Sequence, residues 1–277
     1  MKVVFFGSSE YVIPVIDVLR ENFNLVLVIT TDDRKAVDSY CKARNIPFIN
    51  LLKLDEEPIK KIGEAKPEIA VVAAFGIIIP QIVLDIFPKG ILNIHPSLLP
   101  KYRGPTPIQT ALLNGDKKTG VTVMQIDTKV DHGPILRQEE YEIKQEDNSQ
   151  VLLVKLFQKG AELLKKVLND YINGKISLKV QDHNKATFTK MLSKNDGFFD
   201  IKSPPSPEKL DLMTRAFYPW PGVWTKTKIN ETGEKIVKFL PNTKIQVEGK
   251  TPVNYKDFIN GYPNADKKIV EFLKTKL

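Results

Sequence analysis

A doubly wound, mostly parallel α/β domain followed by a smaller β-rich unit is the architecture this 277-residue sequence predicts. Three observations carry that prediction. In the first half, short valine- and isoleucine-rich runs alternate with helix-like segments, the pattern of a parallel sheet joined by crossover helices. Those runs are apolar nearly throughout, as strands buried on both faces require. Near residue 190 the pattern gives way to a proline-bearing stretch and then to β-branched runs separated by turns.

The elements follow in order. Residues 2–6 read as a strand, 11–20 as a helix, 25–30 as a strand, and 35–44 as a helix leading to the short strand 47–49. A charged helix at 58–64, a buried strand at 69–74, a turn-rich helix near 80–86 and a strand at 90–94 come next. Thr106 can cap a helix with Pro107 at its first position and Gly115 closing it. A strand at 121–125 precedes a long amphipathic helix over 150–173, in which Leu152, Leu156, Leu163, Leu164 and Val167 recur at helical spacing. Gly197, Pro204, Pro205 and Pro207 give the next stretch the composition of a linker, so the predicted organisation is a first domain over 1–190, a linker over 191–206 and a second domain over 207–277. That second domain opens with a short helix and carries strand-like runs at 223–229, 235–239 and 243–247.

Composition sets outer limits. No apolar run approaches the roughly 20 residues of a membrane span, and Met1 leads at once into a strand with no room for a leader, so a cytoplasmic location is expected. One cysteine, Cys41, excludes an internal disulfide and a cysteine-cluster metal site, and no metal is expected. A formal net charge of +8 favours polyanionic partners; no obligate protein partner is inferred. The first strand turns through Phe6-Gly7-Ser8-Ser9-Glu10, one glycine where a dinucleotide fingerprint has three, and no P-loop follows any strand.

Chemistry concentrates at Ile91-Leu92-Asn93-Ile94-His95-Pro96-Ser97-Leu98-Leu99-Pro100-Lys101-Tyr102-Arg103-Gly104. In an extended segment Asn93 and His95 share a face, an amide beside an imidazole at a strand's C-terminal end. A carboxylate from the segment Asp127-Thr128-Lys129-Val130-Asp131-His132-Gly133 could orient the imidazole while the amide donates to a developing oxyanion, an arrangement suited to acyl transfer onto an amine. Asp131 equally suits a turn former. His132 reads as a loop residue and His183, between Asp182 and Asn184, as surface.

With these residues in view, the run from Asn93 to Gly104, followed by Asp131-His132-Gly133, closely resembles the 10-formyltetrahydrofolate-dependent formyltransferases. The resemblance is nearly end to end. It implies a formyltransferase-type Rossmann-like domain, a catalytic set of Asn93, His95 and Asp131, and a folate-binding loop of Ser97, Leu98, Leu99 and Pro100. Ala74-Phe75-Gly76-Ile77 adds Phe75, Gly76 and Ile77 to the folate site, together with Ile126. Arg215-Ala216-Phe217-Tyr218-Pro219-Trp220-Pro221-Gly222 points to the branch that formylates the methionine amine of initiator methionyl-tRNA, with 10-formyltetrahydrofolate as donor and Arg103, Lys226 and Lys228 as acceptor contacts. Two departures leave a nucleotide-linked amino sugar as the alternative acceptor. Residues 30–35 pass almost directly into a helix, where the tRNA-acting branch carries a long basic insertion, and the second domain resembles a reduced oligonucleotide-binding barrel.

Overall fold

The computed structural model describes residues 1–31, 35–230 and 233–274. The chain divides into two compact units, one of Met1–Pro107, Lys118–Glu142 and Leu153–Thr189, the other of Ile108–Lys117, Ile143–Leu152 and Lys190–Leu277. In the first unit β1 (Lys2–Gly7), β2 (Asn24–Thr30), β3 (Phe48–Asn50), β4 (Ile69–Ala73), β5 (Ile91–His95), β6 (Lys118–Gln125) and β7 (Ile135–Glu142) form one sheet in the order β3-β2-β1-β4-β5-β6-β7. β1 to β5 are parallel, and β6 and β7 run antiparallel to their neighbours. The chain winds outward from β1 to β3, then returns to β4 on the other side. The crevice for a ligand in such a sheet lies outside the strands' C-terminal ends where the order reverses.

Both faces are apolar because the strands are. Val3, Phe5, Val71, Leu92, Ile94, Val121 and Val123 face one cluster with Val15, Ile16 and Leu19 of α1 (Ile13–Asn22), Val37 and Cys41 of α2 (Ala36–Ala43), and Phe157, Leu164 and Val167 of α6 (Ser149–Ile172). On the other face Val4, Phe6, Ile29, Val72 and Ile91 pack with Ile62 of α3 (Glu56–Glu64) and Val83 of α4 (Gln81–Leu84). α5 (Pro107–Leu113) starts at the proline and closes at Gly115, whose φ of +68° and N–H to the Leu112 carbonyl make it the expected left-handed stop. Residues 32–34, within the short passage from β2 to α2, lie outside the described residues.

β7 was not foreseen. Only its first two residues are buried, and its charged Arg-Gln-Glu-Glu run belongs to an edge strand whose polarity hides it from an apolar-pattern reading.

In the second unit β8 (Val223–Asn230), β9 (Gly233–Leu240), β10 (Lys244–Val247) and β11 (Val253–Asn254) form an antiparallel sheet in the order β11-β10-β9-β8. This is the small β-rich unit that was expected, and among the described residues β11 and β8 are the edges of its sheet. α7 (Pro207–Ala216) is capped by Ser206, whose hydroxyl accepts from the Lys209 N–H, while α8 (Tyr255–Gly261) and α9 (Lys267–Lys274) were missed as short helices with few apolar positions. Residues 191–206 fall within this unit. Phe199 and Ile201 are buried, the Phe199 ring lies 5.2 Å from Phe239 and 5.8 Å from Phe272, and a Cβ on Gly197 would stand 1.7 Å from the Gly222 carbonyl oxygen. Among the described residues no helix is long and apolar enough to cross a membrane.

α6 approaches β5 and β6 at Gly160, where a Cβ would lie 2.6 Å from Ile94 Cγ2 and 3.1 Å from Val121 Cγ2. Gly160→Val should therefore destabilise the protein by about 1–3 kcal/mol through overpacking, outweighing the small gain in helix propensity. Denaturant titration reads this directly, and an unchanged midpoint would refute the close approach.

Candidate active site

Leu92 and Ile94 of β5 point into one core cluster and Ile91 into the other, so Asn93 and His95 share the Ile91 face. His95 is 4% exposed. Its Nε2 lies 2.9 Å from the Tyr102 carbonyl oxygen, which can only accept, so Nε2 carries a proton and Nδ1 is the atom free to gain or lose one. Nδ1 stands 3.5 Å from Asp131 Oδ2. Asn93 Nδ2 donates to Asp131 Oδ1 at 3.2 Å, and the Gly104 N–H donates to Asp131 Oδ2 at 2.7 Å. One carboxylate thus joins both polar side chains of β5 to the loop that follows it.

Two loops make this meeting possible, and each has a residue at positive φ. Asp131 has φ +47°, the left-handed region that Asp tolerates better than most residues. Two residues on, a Cβ at Gly133 would sit 2.0 Å from the Gln125 carbonyl oxygen, so only glycine lets this loop lie against the end of β6. Gly104 has φ +105°, and a Cβ there would stand 2.9 Å from both the carbonyl and the hydroxyl oxygen of Thr189.

The segment from Ser97 to Lys101 is pinned from below. Ser97 Oγ donates to the Lys101 carbonyl at 2.6 Å. Thr122 Oγ1 donates to the Ser97 carbonyl at 2.6 Å and accepts from the Leu99 N–H at 3.2 Å, and Gln138 Nε2 reaches both Thr122 Oγ1 and the Leu99 carbonyl. Ser97 and Leu99 are buried, Leu99 in a small cluster with Met124 and Ile135, whereas Leu98 and Pro100 are half-buried. After β4, the Phe75 ring meets Phe6 edge-on at 5.4 Å, and Phe75, Ile77 and Ile126 pack against the cluster that holds Ile91. Gly76 is exposed with open space where a side chain would be. An apolar wall therefore adjoins the face that carries Asn93 and His95, a setting that fits a flat heteroaromatic ring held beside a polar reaction centre.

A strap after α6, which the sequence reading passed over, holds the two loops. Tyr102 N–H donates to Thr187 Oγ1 at 2.8 Å, Arg103 N–H to the Thr187 carbonyl at 2.9 Å and Thr189 N–H to the Arg103 carbonyl at 2.8 Å. Gln181 Nε2 donates to the carbonyls of Asp131 and Gly133, and its Oε1 accepts from Arg103. Arg103 is not laid out for solvent: it is 3% exposed, with Nη2 donating to Gln181 and to His183 Nδ1. Burial lowers its pKa, opposed by the charges of Asp131 and Asp127. His183 is exposed but stacks on His132 at 4.0 Å, and His132 Nδ1 lies 2.6 Å from Asp127 Oδ2. Desolvation, then the charges of His132, Arg103 and Lys129, hold His183 below the usual imidazole value, which favours the neutral ring that accepts from Arg103.

Lys226 and Lys228 lie on β8 of the second unit, exposed. Register sets Lys226 opposite Ile236, Lys228 opposite Glu234 and Trp224 opposite Lys238, so both lysines share a sheet face with Trp224 and Lys238. Among the described residues no group of three His, Cys, Asp or Glu side chains converges as a metal site.

Residues 1–168 match the family described as Formyl transferase. A methionyl-tRNA formyltransferase of Chloroflexus aggregans is 40% identical over 237 residues, covering 81% of this chain and 76% of that protein. One from Thermus thermophilus is 38% identical over 233 residues, covering 80% and 75%. Among solved structures, a sugar N-formyltransferase from Shewanella aligns with a TM-score of 0.66 at 21% identity, covering 81% of this chain and 92% of that one. A phosphoribosylglycinamide formyltransferase from Streptococcus pneumoniae aligns at 0.55 and 21%, covering 62% and 98%. At such identity the solved structures speak to fold alone, whereas the sequence relatives speak to descent. This chain belongs to the formyl transferase family, and its relatives at about 40% identity are methionyl-tRNA formyltransferases.

Proposed function

We propose that the protein transfers a formyl group from 10-formyltetrahydrofolate to the α-amine of methionine on initiator methionyl-tRNA, acting in the cytoplasm. The observation that carries this reading is the union of Asn93, His95 and Asp131 through one carboxylate, on a chain 40% identical to methionyl-tRNA formyltransferases. The loop of Ser97, Leu98, Leu99 and Pro100 and the wall of Phe75, Gly76, Ile77 and Ile126 would hold the folate, which supplies the formyl carbon. As the amine attacks that carbon, Asn93 donates an N–H to the oxygen that gains negative charge. His95 takes the amine's proton at Nδ1, becomes a second donor to the oxyanion, and returns the proton to the departing nitrogen. Asp131 supplies the opposite charge while the ring is protonated.

For the acceptor, the face that carries Lys226, Lys228 and Lys238 beside Trp224, with Glu234 and Ile236 between them, supports an RNA contact through its lysines, cations being suited to phosphates. A nucleotide-linked amino sugar is the competing acceptor. In its favour, only five residues separate the end of β2 at Thr30 from the start of α2 at Ala36, where the tRNA-acting branch carries an insertion.

Supplying 10-formyltetrahydrofolate with either methionyl initiator tRNA or a panel of nucleotide-linked amino sugars, and following formyl incorporation by mass spectrometry, decides between them. Asn93→Ala should cost roughly 100-fold to 1000-fold in turnover, as loss of one oxyanion donor does, and His95→Ala more. Near-full turnover by the His95 variant would refute the site. On the acceptor side, Lys226→Ala and Lys228→Ala should each raise KM for tRNA and reduce the slope of log affinity against log salt by about one. An unchanged salt slope would remove β8 from the acceptor interface.

A further inference from the structure

We infer that Gln181 is a positioning residue for the transfer reaction, an amide whose orientation Arg103 sets and whose two N–H groups fix the backbone of the loop that presents Asp131. The inference rests on the formyl-transfer reading of Asn93, His95 and Asp131.

The loop from Ile126 to Pro134 contains no helix or strand, and its base is closed by the Gln125 N–H on the Pro134 carbonyl at 2.9 Å. Within it Asp131 takes a left-handed conformation, which persists only where the surroundings over-determine it. Gln181 supplies that determination. Nε2 donates to the Asp131 carbonyl at 2.9 Å and to the Gly133 carbonyl at 2.7 Å, spanning His132. Oε1 accepts from Arg103 Nε at 3.2 Å and Nη2 at 2.7 Å. All donors and both lone pairs of the amide are used, and the residue is 4% exposed.

Direction is the essential point. A glutamine amide can turn end for end, and a turned amide would aim its oxygen at two carbonyls. Arg103 has only donors, so it admits the oxygen and not the nitrogen, and thereby faces the N–H groups to the loop. The residue after Arg103 then completes a circuit. Gly104 N–H holds the Asp131 carboxylate, while the Arg103 side chain, through Gln181, holds the Asp131 carbonyl. Backbone and side chain of one aspartate are thus referred to one dipeptide. A buried guanidinium spent on a neutral amide is a costly way to gain stability, since apolar packing would serve better. It is a fitting way to gain orientation, and a displacement of about 1 Å in a catalytic group can cost on the order of 100-fold in rate.

The test compares Gln181→Glu, Gln181→Met and His95→Ala with the wild type, using methionyl initiator tRNA and 10-formyltetrahydrofolate, and measures kcat, the folate Kd by calorimetry and the melting temperature. Gln181→Glu keeps an acceptor for Arg103 but faces the loop carbonyls with oxygen; Gln181→Met keeps length and loses every hydrogen bond. Expected are kcat values about 10-fold to 100-fold below wild type in both, with the folate Kd within about twofold and Gln181→Glu melting near the wild type. A role in stability alone predicts the opposite for Gln181→Glu, which would fold through its Arg103 pair and turn over normally. If both variants keep kcat within about threefold while His95→Ala is inactive, the inference falls and the formyl-transfer reading stands. Folate affinity and melting temperature falling in step with kcat in both variants would also overturn it. Absence of any transfer by the wild type would overturn the reading and the inference together.

Discussion

The Asp131 carboxylate is the constraint on which the rest of this site depends. It accepts from the Asn93 amide and the Gly104 N–H while facing His95 Nδ1, so three stretches of chain share one acidic group. All three of its partners lie on β5 or in the loop that follows it, and the position of β5 is fixed by buried neighbours on both sides. The third stretch is the aspartate's own loop, which has no such support. The architecture therefore spends its polar interior, Gln181 and Arg103, on the least regular segment. Where regular structure ends, hydrogen bonds must replace ladders as the source of precision.

Placement of the site follows from the sheet. The order reverses between β1 and β4, so side chains leaving the C-terminal ends of β4 and its neighbour β5 emerge beside the crevice that such a reversal opens. Ile91 below and Phe75, Ile77 and Ile126 beside them bring apolar surface to a polar reaction centre, which lowers the local dielectric and strengthens each donor aimed at developing charge. The antiparallel turn at β6 has its own consequence. Because β6 runs back past β5, Thr122 comes opposite His95 and lies under the loop after it, where its hydroxyl ties down Ser97 and Leu99. An all-parallel continuation would have put a crossover helix there.

How much of this was legible in the sequence depended on whether a residue's role was local. β1, β4 and β5 were visible because their short apolar runs are rich in β-branched residues and bounded by turn signals, and α6 because its period holds over 24 residues. Asn93 and His95 could be placed on one face from strand geometry alone. β7 was hidden because an exposed edge strand carries the charges of a loop, and α9 because three buried positions, Ile269, Phe272 and Leu273, make too short a pattern. Arg103 was expected among the acceptor contacts, since nothing local shows that the chain returns 78 positions later with an amide that covers it. Gln181 left no mark: its partners, Arg103, Asp131 and Gly133, lie at separations that no spacing rule connects. His183 was visible as one of only three histidines, but its neighbours in sequence are not its neighbours in space.

Chemistry and choice of acceptor separate cleanly in this molecule. In the proposed reaction an amide, an imidazole and a carboxylate would act on the formyl carbon, its oxygen and an attacking nitrogen, and nothing in those three groups distinguishes the amine of methionine from that of an amino sugar. The formyl transferase match ends at residue 168, before β8 and its lysines begin. Discrimination must therefore come from groups that meet the acceptor away from its amine. A polyanion is the acceptor that a chain of net charge +8 attracts from a distance. Long-range attraction of that kind raises encounter rates with any nucleic acid, so it cannot select one RNA. Selection needs a surface with fixed geometry. In the proposed reading that surface is β8 and β9, where cross-strand register sets Trp224 beside Lys238, Lys226 beside Ile236 and Lys228 beside Glu234 at the spacing of a strand ladder. Under that reading, cations set at such intervals can follow a phosphate backbone, whereas a nucleotide sugar with two phosphates could engage only a fraction of that face.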